Sequence, residues 1–147
     1  MSAMNHQQQP FRSTAGMTFE QMLAQVRYEG AYATRAQAEQ AVHAVLAAFG
    51  RQVTGEERVK LAARLPYEAA VTFTSQVPST EALTGWAFVK DLASSTGGSP
   101  ATTRWDTGTV FRVLTRLAGE DLISRLLAQL PSGYALLFGR PELTQAA

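Results

Sequence analysis

One pattern occurs twice in the chain: a Leu-Pro pair followed by an apolar run that ends in Phe. It stands as LAARLPYEAAVTF at residues 61–73 and as LLAQLPSGYALLFGRP at residues 126–141. With an offset of 65 positions, the identical pairs are Leu61 and Leu126, Ala63 and Ala128, Leu65 and Leu130, Pro66 and Pro131, Ala70 and Ala135, and Phe73 and Phe138. Upstream, at an offset of 68, the matching residues are Val42, Val45 and Leu46 with Val110, Val113 and Leu114. A repeat of this length indicates a duplicated unit of several helices.

The Leu-Pro pairs predict sharp corners between helices. Proline cannot continue a helix because its ring blocks the hydrogen bond to the preceding turn, but it is tolerated at the first position of a new helix. We therefore expect Pro66 and Pro131 each to end one helix and begin a short one. Phe73 and Phe138 would then anchor the two short helices in a shared core.

Capping boxes predict three helix starts in the first half. In a capping box, a hydroxyl and a side chain three residues later satisfy free backbone amides reciprocally. The three candidate pairs are Thr18 with Gln21, Thr34 with Gln37, and Thr54 with Glu57. The second helix carries one apolar stripe of Ala38, Ala41, Val42, Val45, Leu46 and Phe49. The third is expected over residues 54–65, with the inward side chains Val59, Leu61, Ala62 and Leu65.

The second half repeats this scheme after a break at residues 76–79. We expect a helix over residues 80–94, a loop SSTGGSP, a helix that ends at Leu117 and a third over residues 119–130. Each half has only about 60 residues and would be marginally stable alone, so the halves are expected to share one core.

The predicted fold is an all-α helical bundle of two tandem pseudo-symmetric repeats, each with three helices plus a short helix after a Leu-Pro corner. One domain is expected over residues 17–141, with repeats over about 17–78 and 79–141. Residues 1–16 and 142–147 are predicted to be tails, the first of them flexible. For the N-terminal tail, order on binding and a natural start at Met17 downstream of it both stay open as alternatives.

Charge and composition narrow the classes of function. Thirteen basic side chains stand against twelve acidic ones, so a uniformly cationic surface for nucleic acid is not expected. The chain has no cysteine, which excludes disulfides, thiol catalysis and thiolate metal sites and fits a reducing cytoplasm. No stretch comes close to the ~20 apolar residues of a membrane helix, so we expect a cytoplasmic protein without a membrane partner.

Longer segments carry a family resemblance. The opening TFEQMLAQV, the Ala-rich AEQAVHAVLAAF, then LAARLP, and finally VFRVLTRLAGEDLISRLLAQLPSGYALLFG resemble the bacterial domain-of-unknown-function family 2267. The resemblance covers residues 17–141, and its most specific part is the paired Leu-Pro corners with the closing Leu-Phe-Gly. The chain departs from the family pattern in its long loop over residues 94–103 and in its N-terminal tail. The resemblance implies an all-helical cytoplasmic protein of unassigned activity, and it brings no catalytic motif.

The loop SSTGGSPATTR is the best candidate for a binding site. Glycines before a helix N-terminus, with an arginine nearby, can offer backbone amides and positive charge to a phosphate. Gly97, Gly98, Ser99 and Arg104 are therefore candidate ligand-binding residues. The loop lacks the lysine and the spacing of a nucleotide-binding loop, and an ordinary linker is the competing interpretation.

Two further charged groups have structural interpretations. His43 follows Glu39 by four residues, but a metal needs three or four ligands, so we expect a surface histidine and no metal. Arg112 and Arg116 lie one helical turn apart and could contact nucleic acid, but they are more simply a solvated face with one ion pair from Arg116 to Glu120.

Four large aromatic side chains stand outside the repeated pattern. They are Trp86, Trp105, Tyr28 and Tyr32. We expect large aromatics of this kind in the core, whereas an exposed Trp86 or Trp105 would mark an interface, where such side chains concentrate binding energy.

The leading functional hypothesis is a non-enzymatic protein-interaction or oligomerisation module of the bacterial cytoplasm, with stress physiology as its candidate setting. No nucleophile, base and acid set is visible, so we predict no catalytic residues and no cofactor. The first alternative is a small-ligand or phosphate-binding protein that uses the Gly97 and Gly98 loop. The second is weak nucleic-acid binding through Arg112 and Arg116.

Overall fold

The computed structural model describes residues 16–141, which form eight α-helices and no β-strand. The helices are α1 Phe19–Gly30, α2 Arg35–Gly50, α3 Gly55–Arg64, α4 Tyr67–Thr74, α5 Gly85–Thr96, α6 Pro100–Ala118, α7 Glu120–Gln129 and α8 Tyr134–Leu137. The predicted all-α bundle is therefore confirmed, while the pseudo-symmetry of its halves stays a prediction. Of the tails predicted over residues 1–16 and 142–147, all residues except Gly16 lie outside the described part. None of the described helices is both long and apolar enough to cross a membrane.

Two of the three predicted capping boxes are confirmed. The Thr18 hydroxyl accepts from the Gln21 amide at 3.1 Å, and Gln21 accepts from the Thr18 amide at 2.9 Å; Thr34 has the same arrangement. The box predicted at Thr54 is wrong, because its side chain makes no cap hydrogen bond. The next residue, Gly55, has a φ of 75° rather than the negative φ of a helical first position, on which the capping geometry depends.

Both Leu-Pro pairs form the predicted corners. Leu65 has φ −93° and ψ 148°, and Leu130 has the nearly equal angles φ −93° and ψ 152°. Both leave the helical conformation because the residue before a proline is disfavoured in the helical region. The position of the prolines differs from the prediction. Pro66 occupies the cap before α4 rather than its first position, and two residues separate Pro131 from α8.

The helices around the predicted glycine loop differ most from expectation. Helix α5 begins at Gly85 rather than near residue 80, because the Thr84 hydroxyl is its cap and accepts from the Ala87 amide at 3.1 Å. The helix then continues to Thr96, whose hydroxyl donates back to the Leu92 carbonyl. The loop predicted over residues 94–103 is thus only residues 97–99, since Pro100 already stands at the start of α6.

The eight helices contribute to one hydrophobic core, and Phe49 at the end of α2 lies at its aromatic centre. Its ring centroid lies 4.8 Å from that of Phe111 and about 6 Å from four others, Phe73, Phe88, Tyr134 and Phe138. Phe111 and Phe138 stack at 4.1 Å. The predicted burial of Phe73 and Phe138 is confirmed, and the rings join α2 and α4 to α5, α6 and α8.

The prediction that Val59 points inward is wrong. Its side chain is 68% exposed, whereas Leu61 is fully buried. Two helical residues that are two positions apart lie on nearly opposite faces, so the burial of Leu61 turns Val59 to the solvent. Helix α3 therefore contacts the core through a narrow stripe.

Arg58 joins the ends of two helices. Its guanidinium donates to the Gly50 carbonyl at the end of α2, to the Val53 carbonyl at 2.9 Å and to the Gln76 carbonyl at 2.7 Å. It also lies 5.1 Å from the centre of the Phe73 ring. The cation satisfies carbonyls that helix ends leave unpaired and interacts favourably with the helix dipoles.

We predict that Phe49→Ala lowers the free energy of unfolding by about 3–5 kcal/mol, because it removes the ring at the centre of the aromatic core. Urea denaturation followed by circular dichroism measures this change. The matched control is Tyr28→Ala, which truncates a side chain that is 87% exposed and should change stability by less than about 0.5 kcal/mol. Equal effects of the two substitutions would contradict the central role of Phe49.

We predict that Arg58→Met costs about 2–4 kcal/mol of unfolding free energy, because several partly buried carbonyls lose a charged donor. The measurement is again urea denaturation. Arg125→Met, on the exposed surface of α7, is the control for loss of a positive charge and should be nearly neutral. A neutral Arg58→Met would mean that water satisfies these carbonyls equally well.

Candidate functional site

An exposed concave surface of about 550 Å³, the apolar groove, lies between the first turns of α5 and α6 and helix α8. Val89 and Leu137 form its buried floor, while Trp86 and Leu136 stand on its rim and are 65% and 52% exposed. The prediction that Trp86 lies in the core is therefore wrong. Its ring points outward because the inward positions of α5 are taken by Phe88, Val89 and Leu92.

A backbone contact between two glycines sets the shape of this groove. The Gly85 amide donates to the Ser132 carbonyl at 2.8 Å, so the start of α5 lies directly against the corner before α8. A Cβ atom at Gly85 would lie 2.5 Å from the Gly133 carbonyl carbon, closer than real side chains come. Glycine at position 85 thus permits the approach that places Leu136 beside Trp86.

The charged side chains along the apolar groove are both cations. The Lys90 ammonium lies 5.1 Å from the centre of the Trp86 ring, and Arg104 lines the α6 side of the groove. Within residues 16–141, Arg104 forms no ion pair, and no carboxylate lines the groove. The groove therefore combines apolar surface with uncompensated positive charge.

The predicted glycine loop and Arg104 do not meet in the apolar groove. Arg104 lies in the apolar groove with Pro100 and Ala101, whereas Gly97, Gly98 and Ser99 do not line it. Most amides of this segment already have acceptors. The Gly97 amide donates to the Ala93 carbonyl, that of Gly98 to the Thr96 hydroxyl, and that of Thr102 to the Ser99 hydroxyl. Ligand binding by this loop stays a prediction.

Arg112 and Arg116 are held by helix α1 rather than by their own helix. Both pair with Glu29, Arg112 at 3.3 Å, and Arg116 also donates to the Gln25 side chain. The predicted pair between Arg116 and Glu120 is wrong, because α6 ends at Ala118 and Glu120 pairs with Arg140 instead. Pairing with Glu29 compensates part of the positive charge that a nucleic-acid contact would use.

His43 packs between α1 and α4. Its Nδ1 lies 2.7 Å from the Thr72 hydroxyl, its Nε2 lies 3.5 Å from Glu39, and its ring contacts Phe19 at a centroid distance of 5.7 Å. Over residues 16–141, no three histidine or acidic side chains come together in a way that could hold a metal ion.

Trp105 and Tyr32 hold the start of α6 to the turn after α1. Trp105 is 52% exposed, so its predicted core position is wrong as well, and its indole Nε1 donates to the Gly30 carbonyl at 3.0 Å. The half-buried Tyr32 hydroxyl donates to Asp106 at 2.5 Å. Burial and the Asp106 carboxylate raise the pKa of Tyr32 well above its usual value. Sequence reasoning did not identify Asp106 as a site residue, although an acidic side chain next to the buried face of α6 is a signal for one.

Comparison with known proteins assigns the chain to a family. None of the curated proteins matches it. A family model described as "Uncharacterized conserved protein (DUF2267)" matches residues 19–137, which is most of the chain and includes all eight helices. The chain therefore belongs to the DUF2267 family.

Proposed function

We propose that this protein is a non-enzymatic interaction module whose apolar groove binds an acidic, amphipathic helix of a protein partner. The observation that carries the proposal is the exposed rim of Trp86 and Leu136 over an apolar floor. Exposed tryptophan beside a concave apolar surface is typical of positions where binding energy concentrates.

The charges of the apolar groove favour an acidic partner. Lys90 and Arg104 flank the apolar surface, and acidic groups of a partner would complement them without displacing an ion pair of Arg104. Such complementary charge accelerates association and discriminates against basic partners. A second copy of this chain would need to present an acidic apolar segment to the same groove.

A helical partner fits this architecture better than an extended one. An extended peptide adds to the open edge of a β-sheet, and residues 16–141 form no sheet. The apolar groove lies between helices instead, as in complexes where an amphipathic helix inserts side chains spaced three and four residues apart.

The lining of the groove supports a binding function rather than catalysis. Its polar side chains are one lysine and one arginine, without a carboxylate or histidine to act as a base. We further propose that the protein acts in the bacterial cytoplasm, in stress physiology. The lack of cysteine supports the compartment but does not bear on the physiological process.

We predict that selection from a phage-displayed library of random 16-residue peptides gives helical sequences with apolar side chains at i, i+3 or i+4, and i+7 and with acidic side chains beside them. Trp86→Ala should weaken binding of such a peptide at least about tenfold, because it removes the exposed anchor. Lys90→Glu combined with Arg104→Glu should weaken it further by reversing the charge.

The matched control is Lys60→Glu combined with Arg125→Glu, which reverses two exposed cations outside the groove. It should leave peptide affinity within about twofold. Unchanged thermal unfolding of Trp86→Ala would show that the loss of binding is local. The proposal would be contradicted if no peptide is enriched, or if the selected peptides bind the groove variants and the control equally well. If the protein forms a dimer that Trp86→Ala dissociates, the groove would be assigned to a second copy of the chain instead.

A further inference from the structure

A second concave surface of about 560 Å³, the polar pocket, lies on another part of the molecule. It is formed by the turn between α1 and α2, by α2, and by the end of α5 with the start of α6. Tyr32, Asp106, Thr103 and Gln40 supply polar groups, while Val45 and Leu92 supply apolar ones. Its size and mixed lining are typical of small-molecule sites.

The turn after α1 holds Tyr32 in place at this pocket. Ala31 adopts the left-handed conformation with φ 55°, and Arg27 donates to the carbonyls of Tyr32 at 3.3 Å and Ala33 at 2.7 Å. Gly30 has no side chain, and a Cβ atom there would collide with the Tyr32 ring. The ring is thus fixed with its hydroxyl directed at Asp106, which orients the carboxylate.

Among the described residues, the Asp106 carboxylate is the one charged side chain that lines the polar pocket. Asp106 forms no ion pair within residues 16–141, and no lysine, arginine or histidine lines the pocket. Arg112 lies near enough to act on Tyr32, but it is already paired with Glu29. The partly buried Asp106 carboxylate therefore accepts a hydrogen bond from the neutral Tyr32 hydroxyl but has no ion-pair partner, so its negative charge is poorly compensated.

Thr103 adds a second polar group that is not used by the fold. It is 4% exposed and lines the pocket, and within the described part of the chain its hydroxyl forms no hydrogen bond. Gly98 lies next to this hydroxyl, since a Cβ atom there would lie 3.4 Å from the Thr103 Oγ1.

We propose that the polar pocket binds a small organic cation with N–H donors, a protonated amine or a guanidinium. Asp106 accepts a charge-assisted hydrogen bond from the cation, Thr103 and Gln40 contact its polar groups, and the apolar wall contacts its carbon atoms. This site is independent of the apolar groove. Its negative charge favours a cation over the phosphate that the sequence predicts for the nearby glycine loop.

The test is an NMR titration of the ¹⁵N-labelled protein with three probes: ethanolamine, agmatine and inorganic phosphate. We expect agmatine and ethanolamine to give saturable shifts at the amides of Gln40, Thr103 and Asp106, and phosphate to give none there. Absence of a saturable shift with both cations, or a stronger response to phosphate, overturns the proposal.

Charge variants at the rim test the electrostatics without disturbing the fold. Gln40 is exposed, so Gln40→Lys and Gln40→Glu should both fold; the first should weaken agmatine binding about tenfold and the second should strengthen it. Asp106→Asn should abolish the response. Asp91→Asn, which removes an exposed carboxylate of α5 outside the pocket lining, is the control and should change nothing.

Equal agmatine affinities of Gln40→Lys and Gln40→Glu would overturn the proposal even if Asp106→Asn proves unstable. The two proposals also fail separately. Trp86→Ala should leave the agmatine response unchanged, and Gln40→Lys should leave binding of a selected peptide unchanged.

Discussion

The contact of Phe49 with aromatic rings from both halves of the chain is the interaction on which the rest of the structure depends. Phe73 approaches it from the first half, and Phe88, Phe111, Tyr134 and Phe138 approach from the second. About 60 residues bury so little apolar surface that each half alone would be only marginally stable. The rings hold α6 and α8 against α2, and α6 carries residues of both the apolar groove and the polar pocket.

Local sequence signals predicted the elements that local interactions determine. The caps at Thr18 and Thr34, the apolar stripe of α2 and both Leu-Pro corners depend on residues within a few positions of each other, and all are present. Thr54 shows the limit of this reasoning, since a positive φ at the next residue removed the cap. Arg58 could not be predicted, because its acceptors are the carbonyls of helix ends up to 18 positions away.

The candidate sites depend on contacts that no sequence pattern encodes. Arg104 is a predicted ligand-binding residue and lines the apolar groove, but Trp86, which the sequence predicts in the core, is exposed on the rim of that groove. The groove requires the approach of Gly85 to Gly133, and the polar pocket requires Tyr32 to meet Asp106, 74 positions along the chain. The one sequence signal for the polar pocket is an acidic residue, Asp106, next to the inward-facing side chains of α6.

The most direct measurement is native-state hydrogen exchange at increasing urea concentrations, because it reports the free energy of unfolding for each helix separately. If the aromatic core joins both halves into one unit, the slowest amides of α2 and α6 should exchange with the same free energy and the same urea dependence as global unfolding. A lower free energy and a weaker urea dependence for α5 to α8, while α1 to α4 stay protected, would contradict a shared core.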